Sequence, residues 1–284
     1  MEYTDELLKK VQDVELSILD DFIEICEKNN LKYFAVSGTA LGAVRHNGLI
    51  PWDDDIDIGI LRKDFDKFVE VAKKEYSDKY DIVTAGMYED SAIFNVHWSK
   101  KGTVFANEES SGRTYPSGIF LDIFPFDNAA DDDKKMHQQG KRAWIWQKLL
   151  TLYINPKPTL HFSNFKNNII TFICIIIHFF LVILRITPKK CFNKAMKYLR
   201  MYDDEKTSRV AFFCGTKPFT TIHAVKDLEN LVETTFNGRK MYLANNYDEV
   251  LTNLYGDYMQ LPPIEKRYNH APNIIKFGDE DYSN

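Results

Sequence analysis

The feature that most constrains the fold is a run of acidic residues that passes directly into alternating isoleucines. Asp53, Asp55 and Asp57 are spaced by two, and isoleucines occupy positions 56, 58 and 60. Side chains of a β-strand point alternately to its two faces, so this pattern predicts a strand with one apolar, buried face. Asp55 and Asp57 then share the opposite face, with Asp53 at the mouth of the strand.

Carboxylates that lie this close together repel one another. Two unit charges about 4 Å apart repel by roughly 4 kcal/mol at an effective dielectric near 20. A bound cation or protons would offset that cost. Oxygen ligands with several open coordination positions suit Mg²⁺ or Mn²⁺ together with a substrate phosphate. We therefore expect a divalent-metal site on the acidic face of this strand.

The acidic run has three other interpretations. A solvated acidic turn is disfavoured because Pro51 and Trp52 fix the approach and the isoleucines bury the other face. A calcium-binding EF-hand loop needs glycine at its sixth position, and counting from Asp53 that position is Ile58. A nucleotide-sugar glycosyltransferase requires only an Asp-x-Asp pair such as Asp55-Ile56-Asp57, so it stays open as the alternative enzyme.

Strands and helices alternate through the first half of the chain. β-prone runs at 32–37 and 56–60 each precede a helical segment, and the second helix is expected at 63–76. Gly38-Thr39 lies at the first strand-to-helix turn, where backbone N–H groups and a helix N-terminus can bind phosphate. Further β-like runs are 82–84, 93–98, 103–106 and 119–124. The pattern predicts an α+β fold with a mixed sheet and flanking helices.

A later acid completes the pattern. Asp122 stands between Leu121 and Ile123 in a predicted strand, where it is suited to be a third carboxylate at the same metal. A glycine turn, an Asp-x-Asp pair and a later single aspartate together form the general pattern of nucleotidyltransferase-like folds. We expect the metal-binding sheet core to lie within residues 31–130.

The second half is predicted to be rich in helix. Apart from a strand candidate at 210–213, it shows helical patterns from about residue 131, followed by a loop-like tail from Tyr255. Residues 169–186 are almost continuously apolar and lie between helix-breaking prolines. Their length is compatible with a membrane-docking helix, which we favour, a buried helix or a span. We expect 131–210 to be a helical insertion and 211–284 to complete the site.

Composition limits the cellular setting and the partners. The net charge of −5 and the pI near 5.8 give no reason to expect a nucleic acid as partner. The four cysteines are scattered, which is typical of reduced thiols in the cytosol. Residues 1–30 have the pattern of an amphipathic helix and lack a secretory apolar core. We expect a cytoplasmic protein, peripheral on the inner face of the plasma membrane.

Three blocks of sequence follow one another along the chain: GTALGAVRHNGLIPWDDDIDIGI at 38–60, GIFLDIFPFD at 118–127, and YGDYMQLPP at 255–263 with a later His270. Together they resemble the LicD family of phosphocholine transferases, which are related to the fukutins and fukutin-related protein. Because the blocks extend from near one end of the chain to near the other, the resemblance implies a single catalytic unit over residues 1–284.

The resemblance also implies the site residues. The acidic catalytic residues are expected to be Asp53, Asp55, Asp57 and Asp122, the last three as metal ligands, whereas Asp54 is expected to be dispensable. His270 is expected to act as a general base or to bind substrate, with a structural role open. The expected substrate-binding residues are Gly38, Thr39, Arg45, His46, His97, Tyr255 and Tyr258. Purely structural roles stay open for the arginine, for His97 and for both tyrosines.

The implied reaction transfers phosphocholine, or a similar alcohol phosphate, from CDP-choline or another CDP-alcohol, with Mg²⁺ or Mn²⁺ as cofactor. The acceptor is expected to be a hydroxyl of a cell-surface glycan, such as lipopolysaccharide, teichoic acid or capsule, or of its lipid-linked precursor, and CMP is released. Choline, ribitol, glycerol and sugar phosphates are all compatible with the resemblance. A membrane-docking helix would bring the site to a lipid-linked acceptor.

Overall fold

The computed structural model describes residues 3–107, 110–158, 164–216 and 218–283, without the side chains of residues 164 and 165. Within these ranges the chain forms eight α-helices and twelve β-strands in an α+β arrangement, which confirms the predicted class. The likeness to nucleotidyltransferase folds and the docking of the apolar helix on a membrane stay predictions.

The first half contains α1 (Asp5–Asn29), β1 (Tyr33–Ala35), α2 (Ser37–His46), β2 (Asp57–Leu61), α3 (Arg62–Glu75), β3 (Tyr80–Val83), β4 (Val96–Lys100), β5 (Thr103–Ala106) and β6 (Phe120–Ala129). The second half contains α4 (Asp133–Ile154), α5 (Asn164–Ile183), α6 (Pro188–Leu199), β7 (Arg209–Ala211), β8 (Ile222–Ala224), α7 (Val225–Glu229), β9 (Val232–Phe236), β10 (Arg239–Leu243), α8 (Tyr247–Tyr255), β11 (Ile274–Phe277) and β12 (Glu280–Asp281).

The central sheet has the strand order β1-β2-β6-β4-β3, and β7 and then β8 continue from the far end of β6. Strands β2 and β6 are parallel, and the other pairs of this sheet are antiparallel, so the sheet is mixed as predicted. β6 is ten residues long and pairs with β2, β4 and β7. It is therefore the strand through which the two halves of the chain are joined.

The alternation in β2 has the consequence expected from the sequence. Ile56, Ile58 and Ile60 are completely buried, and they belong to a core cluster that includes the apolar stripe of α1. Gly59 lies on the other face, where an added Cβ would come within 2.7 Å of the Phe34 ring. Only glycine fits there, because the aromatic ring packs directly on the strand backbone.

Helices α4 and α6 form a layer over the far end of the sheet. Ala143 and Leu150 of α4 and Ala195 and Leu199 of α6 are buried in one cluster with Phe126 of β6. The region predicted to be a helical insertion is thus helical, and part of it is integral to the core. The apolar segment predicted at 169–186 forms α5 and the turn after it.

The prediction that the second half contains a single short strand was wrong. Besides β7, the structure has β8, the hairpin β9–β10, and β11 with β12 in the region expected to be a loop-like tail. Asn237 and Gly238, both with positive φ, form the hairpin turn, and this Asn-Gly pair was a recognisable signal. β11 pairs with β5, about 170 residues earlier, and no local sequence pattern predicts such a pairing.

Candidate active site

Three polar residues stand side by side on neighbouring strands of the central sheet. Asp57 of β2 lies opposite Asp122 of β6 in the parallel pairing. Asp122 in turn lies opposite His97 of β4 in the antiparallel pairing. Directly paired residues project to the same face of a sheet. The register of three strands, rather than any one of them, therefore builds this row.

Asp122 is held by two neighbours. The side-chain amide nitrogen Nδ2 of Asn95 donates to Asp122 Oδ1 at 2.5 Å, and Nε2 of His97 lies 3.2 Å from the same oxygen. Burial lowers the pKa of His97 to about 4, so near neutral pH the imidazole is uncharged and this contact is not an ion pair. The His97 ring stacks on Phe120 with centroids 4.0 Å apart. A phosphate contact by His97 stays a prediction.

Asp54 differs from its acidic neighbours, because its side chain is buried away from solvent. It accepts hydrogen bonds from the Tyr3 hydroxyl at 2.8 Å and from the backbone N–H of His270 at 2.7 Å. The carboxylate thus joins the N-terminal and C-terminal segments beside the site. The structure corrects the expectation that Asp54 is dispensable, since a buried hydrogen-bonded carboxylate is costly to remove.

Asp53, Asp55 and His270 form the compact group of possible metal ligands. One ligand atom from each lies within 4.8 Å of the others, and His270 Nδ1 is 3.4 Å from Asp55 Oδ2. This group shares Asp55 with the predicted metal set but contains Asp53 and His270 in place of Asp57 and Asp122. Carboxylate oxygens and an imidazole nitrogen are donors that fit Mn²⁺ and, for the oxygens, Mg²⁺.

The charges of the site are strongly coupled. Burial, followed by the charges of Asp55, Asp122 and Asp53, holds the pKa of Asp57 well above its usual value. The pKa of Asp53 is raised to about 7, first by burial and then by Asp55 and Asp54. Contact with Asp54 raises the pKa of His270 to about 9, with help from Asp55. The imidazolium therefore offsets part of the negative charge, and a divalent cation would offset more.

The predicted phosphate-binding turn lies against these acids. α2 begins at Ser37, which has a φ of 48°, and no side chain caps the first turn of the helix. A Cβ on Gly38 would lie 3.1 Å from Asp53 Oδ2, so the absence of a side chain leaves room for the carboxylate. Thr39 is buried, and its hydroxyl accepts from the backbone N–H of Asp57 at 2.7 Å. Thr39 thus positions β2, and its predicted substrate contact stays a prediction.

A pair of arginines flanks Trp52, the residue that precedes the acidic run. The Arg267 guanidinium lies 4.5 Å from the Trp52 ring centroid and that of Arg45 lies 6.0 Å away. Arg45 also donates to His46 Nε2 and to the carbonyl of Tyr258. Burial and the charge of Arg267 lower the pKa of Arg45. Two close guanidiniums at Trp52 suit the phosphates of a charged substrate.

The two tyrosines of the C-terminal block have different positions. Tyr255 is 45% exposed, and its pKa is raised to about 12 by burial of the hydroxyl and by the charges of Asp57 and Asp53. Tyr258 is buried in the core, and its hydroxyl donates to Asp248 at 2.5 Å. The Tyr258 ring thus packs in the core, and its substrate contact stays a prediction. The ring of Tyr255 is the more exposed of the two.

Three residues at the site were missed by sequence reasoning. They are Glu15, Asn95 and Arg267. Glu15 is 2% exposed, and its Oε2 has no hydrogen-bond partner among the residues that the structure describes. Burial and the charge of Asp55 raise its pKa well above the usual value. An acid on the apolar stripe of α1 was the available signal for Glu15, whereas Asn95 and Arg267 carried none.

A cavity of about 300 Å³ opens beside the row of polar residues. Asp55, Asp122 and His270 line the cavity together with the aromatic rings of Phe105 and Phe120. The lining thus combines charged and apolar surface. This arrangement suits a small group that is anionic at one end and less polar at the other.

Aspartates on neighbouring strands of a mixed sheet, next to an uncapped helix N-terminus and two arginines, define an enzyme that transfers a phosphate-containing group. Residues 30–169 match the family described as LicD/FKTN/FKRP, nucleotidyltransferase domain. The chain contains a LicD family domain and is a phosphotransferase.

Two relatives are similar to this chain to different extents. The chain is 29% identical over 283 aligned positions to the lipopolysaccharide cholinephosphotransferase LicD of Haemophilus influenzae, across 93% of this chain and 95% of that protein. It is 40% identical over 104 residues to the ribitol 5-phosphate transferase FKRP of Homo sapiens, across 37% of this chain and 18% of that protein. The first similarity is spread over nearly the whole chain, and the second is confined to one part.

Proposed function

We propose that this protein transfers phosphocholine, or a similar alcohol phosphate, from a CDP-linked donor to a hydroxyl of a cell-surface glycan or its lipid-linked precursor. The observation that carries the proposal is the grouping of Asp53, Asp55, Asp57 and Asp122, two of which, Asp55 and Asp122, line the cavity, in a chain similar to LicD over 93% of its length. The names of the two relatives, one a cholinephosphotransferase and one a ribitol 5-phosphate transferase, support an alcohol phosphate as the transferred group.

In this reaction the acceptor oxygen forms a bond to the distal phosphorus of the donor. The bond from that phosphorus to the bridging oxygen breaks, and CMP leaves with the bridging oxygen. The proton of the acceptor hydroxyl passes to the carboxylate of Asp53, whose pKa near 7 suits a general base. His270 lies beside Asp55, and its imidazolium orients the acceptor.

Mg²⁺ or Mn²⁺ bound by Asp55, Asp57 and Asp122 would neutralise the charge that develops on the transferred phosphate. Asp53 and His270 lie close enough to Asp55 to join that ligand set. The uncapped N-terminus of α2 offers backbone N–H groups to the donor phosphates. Arg45 and Arg267, on either side of Trp52, hold the same phosphates by charge-assisted hydrogen bonds. Tyr255 presents an aromatic face to the base or to a choline-like cation.

We further propose that the protein acts at the cytoplasmic face of the plasma membrane. The supporting observation is α5, because its 166–183 stretch has a mean hydropathy of 2.0 and is only 11% buried. By length and composition such a helix could also cross a membrane. Docking on the membrane would place the cavity beside lipid-linked acceptors.

The proposal is tested by incubating the purified protein with CDP-choline, CDP-ribitol and CDP-glycerol in Mg²⁺ buffer and measuring CMP release with and without a glycan acceptor. We expect one CDP-alcohol to be consumed in a manner that depends on acceptor. Release of a nucleoside diphosphate from nucleotide sugars, with no CMP from any CDP-alcohol, would instead identify the glycosyltransferase alternative.

A further inference from the structure

One stripe of α5 faces the rest of the protein. Cys174 and Leu181 are buried, and His178, which lies on the same side of the helix, places Nδ1 3.3 Å from the Leu152 carbonyl in the last turn of α4. The His178 ring also packs on Tyr153. Positions 174, 178 and 181 share a face because they are separated by four and three residues. The contact with α4 therefore occupies the middle and second half of α5.

The opposite face of α5 is a continuous exposed apolar surface. Large side chains that are 38–64% exposed cover it from the first turn to just beyond the last, namely Ile169, Phe172, Ile173, Ile175, Ile176, Phe179, Phe180, Val182, Ile183 and Leu184. Soluble monomers rarely expose a contiguous apolar patch of this extent. We call these ten residues the apolar face.

Immediately after α5, the chain presents positive charge. Lys189, Lys190, Lys194 and Lys197 of α6 fall within one arc of the helix and line a single shallow depression. The buried stripe of α6, Cys191, Ala195 and Leu199, lies on the opposite side. None of these four lysines has an ion-pair partner within the described parts of the chain. Their charge is unbalanced locally, although the whole chain carries −5.

The packing of the helices favours an in-plane orientation of α5. A helix of 20 residues is about 30 Å long, which is the thickness of the bilayer hydrocarbon. If α5 crossed the bilayer, its contact with Leu152 would carry the last turn of α4 into the hydrocarbon. Asn155, Pro156 and Lys157 follow that turn, and their polar groups would have to lose their water there.

We propose that α5 lies in the plane of the membrane with its apolar face in the acyl chains, and that the four α6 lysines bind the headgroups of anionic phospholipids. A neutral surface would leave the lysines without partners. An anionic bilayer buries the apolar face in its acyl chains and pairs the four α6 lysines with its headgroups. The inference deepens the membrane association proposed above. It makes no use of the transfer reaction, so the two can fail independently.

The experiment measures co-flotation of the full-length protein with phosphatidylcholine vesicles and with vesicles in which part of that lipid is replaced by phosphatidylglycerol. We expect binding to the anionic vesicles to be at least about tenfold tighter and to weaken in high salt. Replacing Lys189, Lys190, Lys194 and Lys197 by Glu should abolish that preference. A matched control replaces Lys73, Lys74, Lys134 and Lys135, four exposed lysines of α3 and α4, by Glu and should bind like wild type.

A second variant tests the apolar face. Changing Phe172, Phe179 and Ile183 to Ser should abolish binding to both kinds of vesicle while leaving the circular dichroism spectrum unchanged, because these side chains are exposed. CMP release from a soluble donor should be the same in both variants as in wild type. Equal binding to the two kinds of vesicle would overturn the proposal. Resistance of the bound protein to alkaline carbonate extraction would also overturn it, because this indicates a membrane-spanning helix. A protein that dimerises through α5 and binds neither kind of vesicle would overturn it as well.

Discussion

Asp57 is placed where its charge destabilises the fold and serves the site. It lies between Asp55 and Asp122, and burial and their charges raise its pKa. Removing such a residue relieves repulsion and should stabilise the fold, so its presence indicates a requirement of function rather than of stability. The same logic applies to Glu15, which is buried beneath the acids with an unpaired oxygen.

For Asp57→Asn we expect transfer activity to fall at least about a hundredfold, because Asp57 is one of the proposed metal ligands. The melting temperature of the protein in EDTA should stay the same or rise, since a buried charge is removed. Activity assays and differential scanning fluorimetry check the two parts. Asp78→Asn, at an exposed turn residue, serves as control. Wild-type transfer rates in the Asp57 variant would show that the site is misassigned.

A second prediction at the scale of residues concerns Arg267 and the binding of the donor. Arg267→Ala should raise the KM for the CDP-alcohol by about tenfold with little change in kcat, because a donor contact worth about 1.4 kcal/mol is lost from bound substrate and transition state alike. Arg267→Lys should recover part of the loss, since the charge returns without the planar stack on Trp52. Arg142, which stacks on Tyr198 in the helical layer, is the matched control for Ala substitution. An unchanged KM in Arg267→Ala contradicts the assignment.

The buried position of His223 leads us to expect that the stability of the protein depends on pH. His223 is buried between Phe34 and Phe126, and burial lowers its pKa to about 4. The unfolded chain therefore binds a proton near pH 6.5 that the folded chain refuses until about pH 4. As the pH falls from about 6.5 to about 4, the free energy of unfolding should decrease by on the order of 3 kcal/mol. Urea unfolding of His223→Gln between pH 7 and 4 should show a flatter profile, whereas His137→Gln, at an exposed histidine, should follow wild type.

At the scale of elements, β6 joins the site to the rest of the core. Asp122 lies near its start, and Asp127 lies five residues further along. Arg62, the first residue of α3, forms a bidentate pair with Asp127 at 2.6 and 3.0 Å. Both side chains are buried, so the pair fixes where α3 begins relative to β6. β2 ends at the residue before Arg62, and its register therefore depends on the same contact.

Arg62→Ala should destabilise the protein by about 3–5 kcal/mol, because Asp127 would be left as an unpaired buried charge. Lys63→Ala, at the next and exposed position, should change stability little. The double variant Arg62→Met with Asp127→Leu should recover most of the loss, since neither charge remains. Chemical denaturation of the four proteins measures this. A loss in the double variant as large as in the single one would point to packing rather than charge.

At the scale of the whole molecule, the site is assembled from distant parts of the chain. Asp54 accepts hydrogen bonds from Tyr3 near one end and from His270 near the other. A ligand that binds the acidic cluster should therefore stabilise the entire fold and not one element.

Mn²⁺ at about 100 times its Kd should raise stability by about 2.7 kcal/mol, which is visible as a higher melting temperature. EDTA should reverse the shift. Asp55→Asn should remove most of it, because Asp55 belongs both to the predicted ligand set and to the compact group in the structure. Asp81→Asn, on β3 away from the acidic cluster, is the control. A shift of equal size in Asp55→Asn would place the cation elsewhere.

Much of this arrangement could be predicted from local patterns. Alternation of acids and isoleucines determined β2 and its two faces, helical periodicity determined α1 and α3, and the apolar run determined α5. The motifs also indicated the acids and the family before any contact was known. Such features follow from the sequence alone because they depend on neighbours a few residues apart.

Only the tertiary structure decided which acids face one another. Pairing of β2 with β6 and of β6 with β4 brought Asp57, Asp122 and His97 into one row, and the packing of both chain ends buried Asp54 and brought His270 to Asp55. It also placed Tyr258 in the core and Arg267 on Trp52. These contacts join residues 25 to more than 200 positions apart, and their geometry is set by packing that no local pattern records.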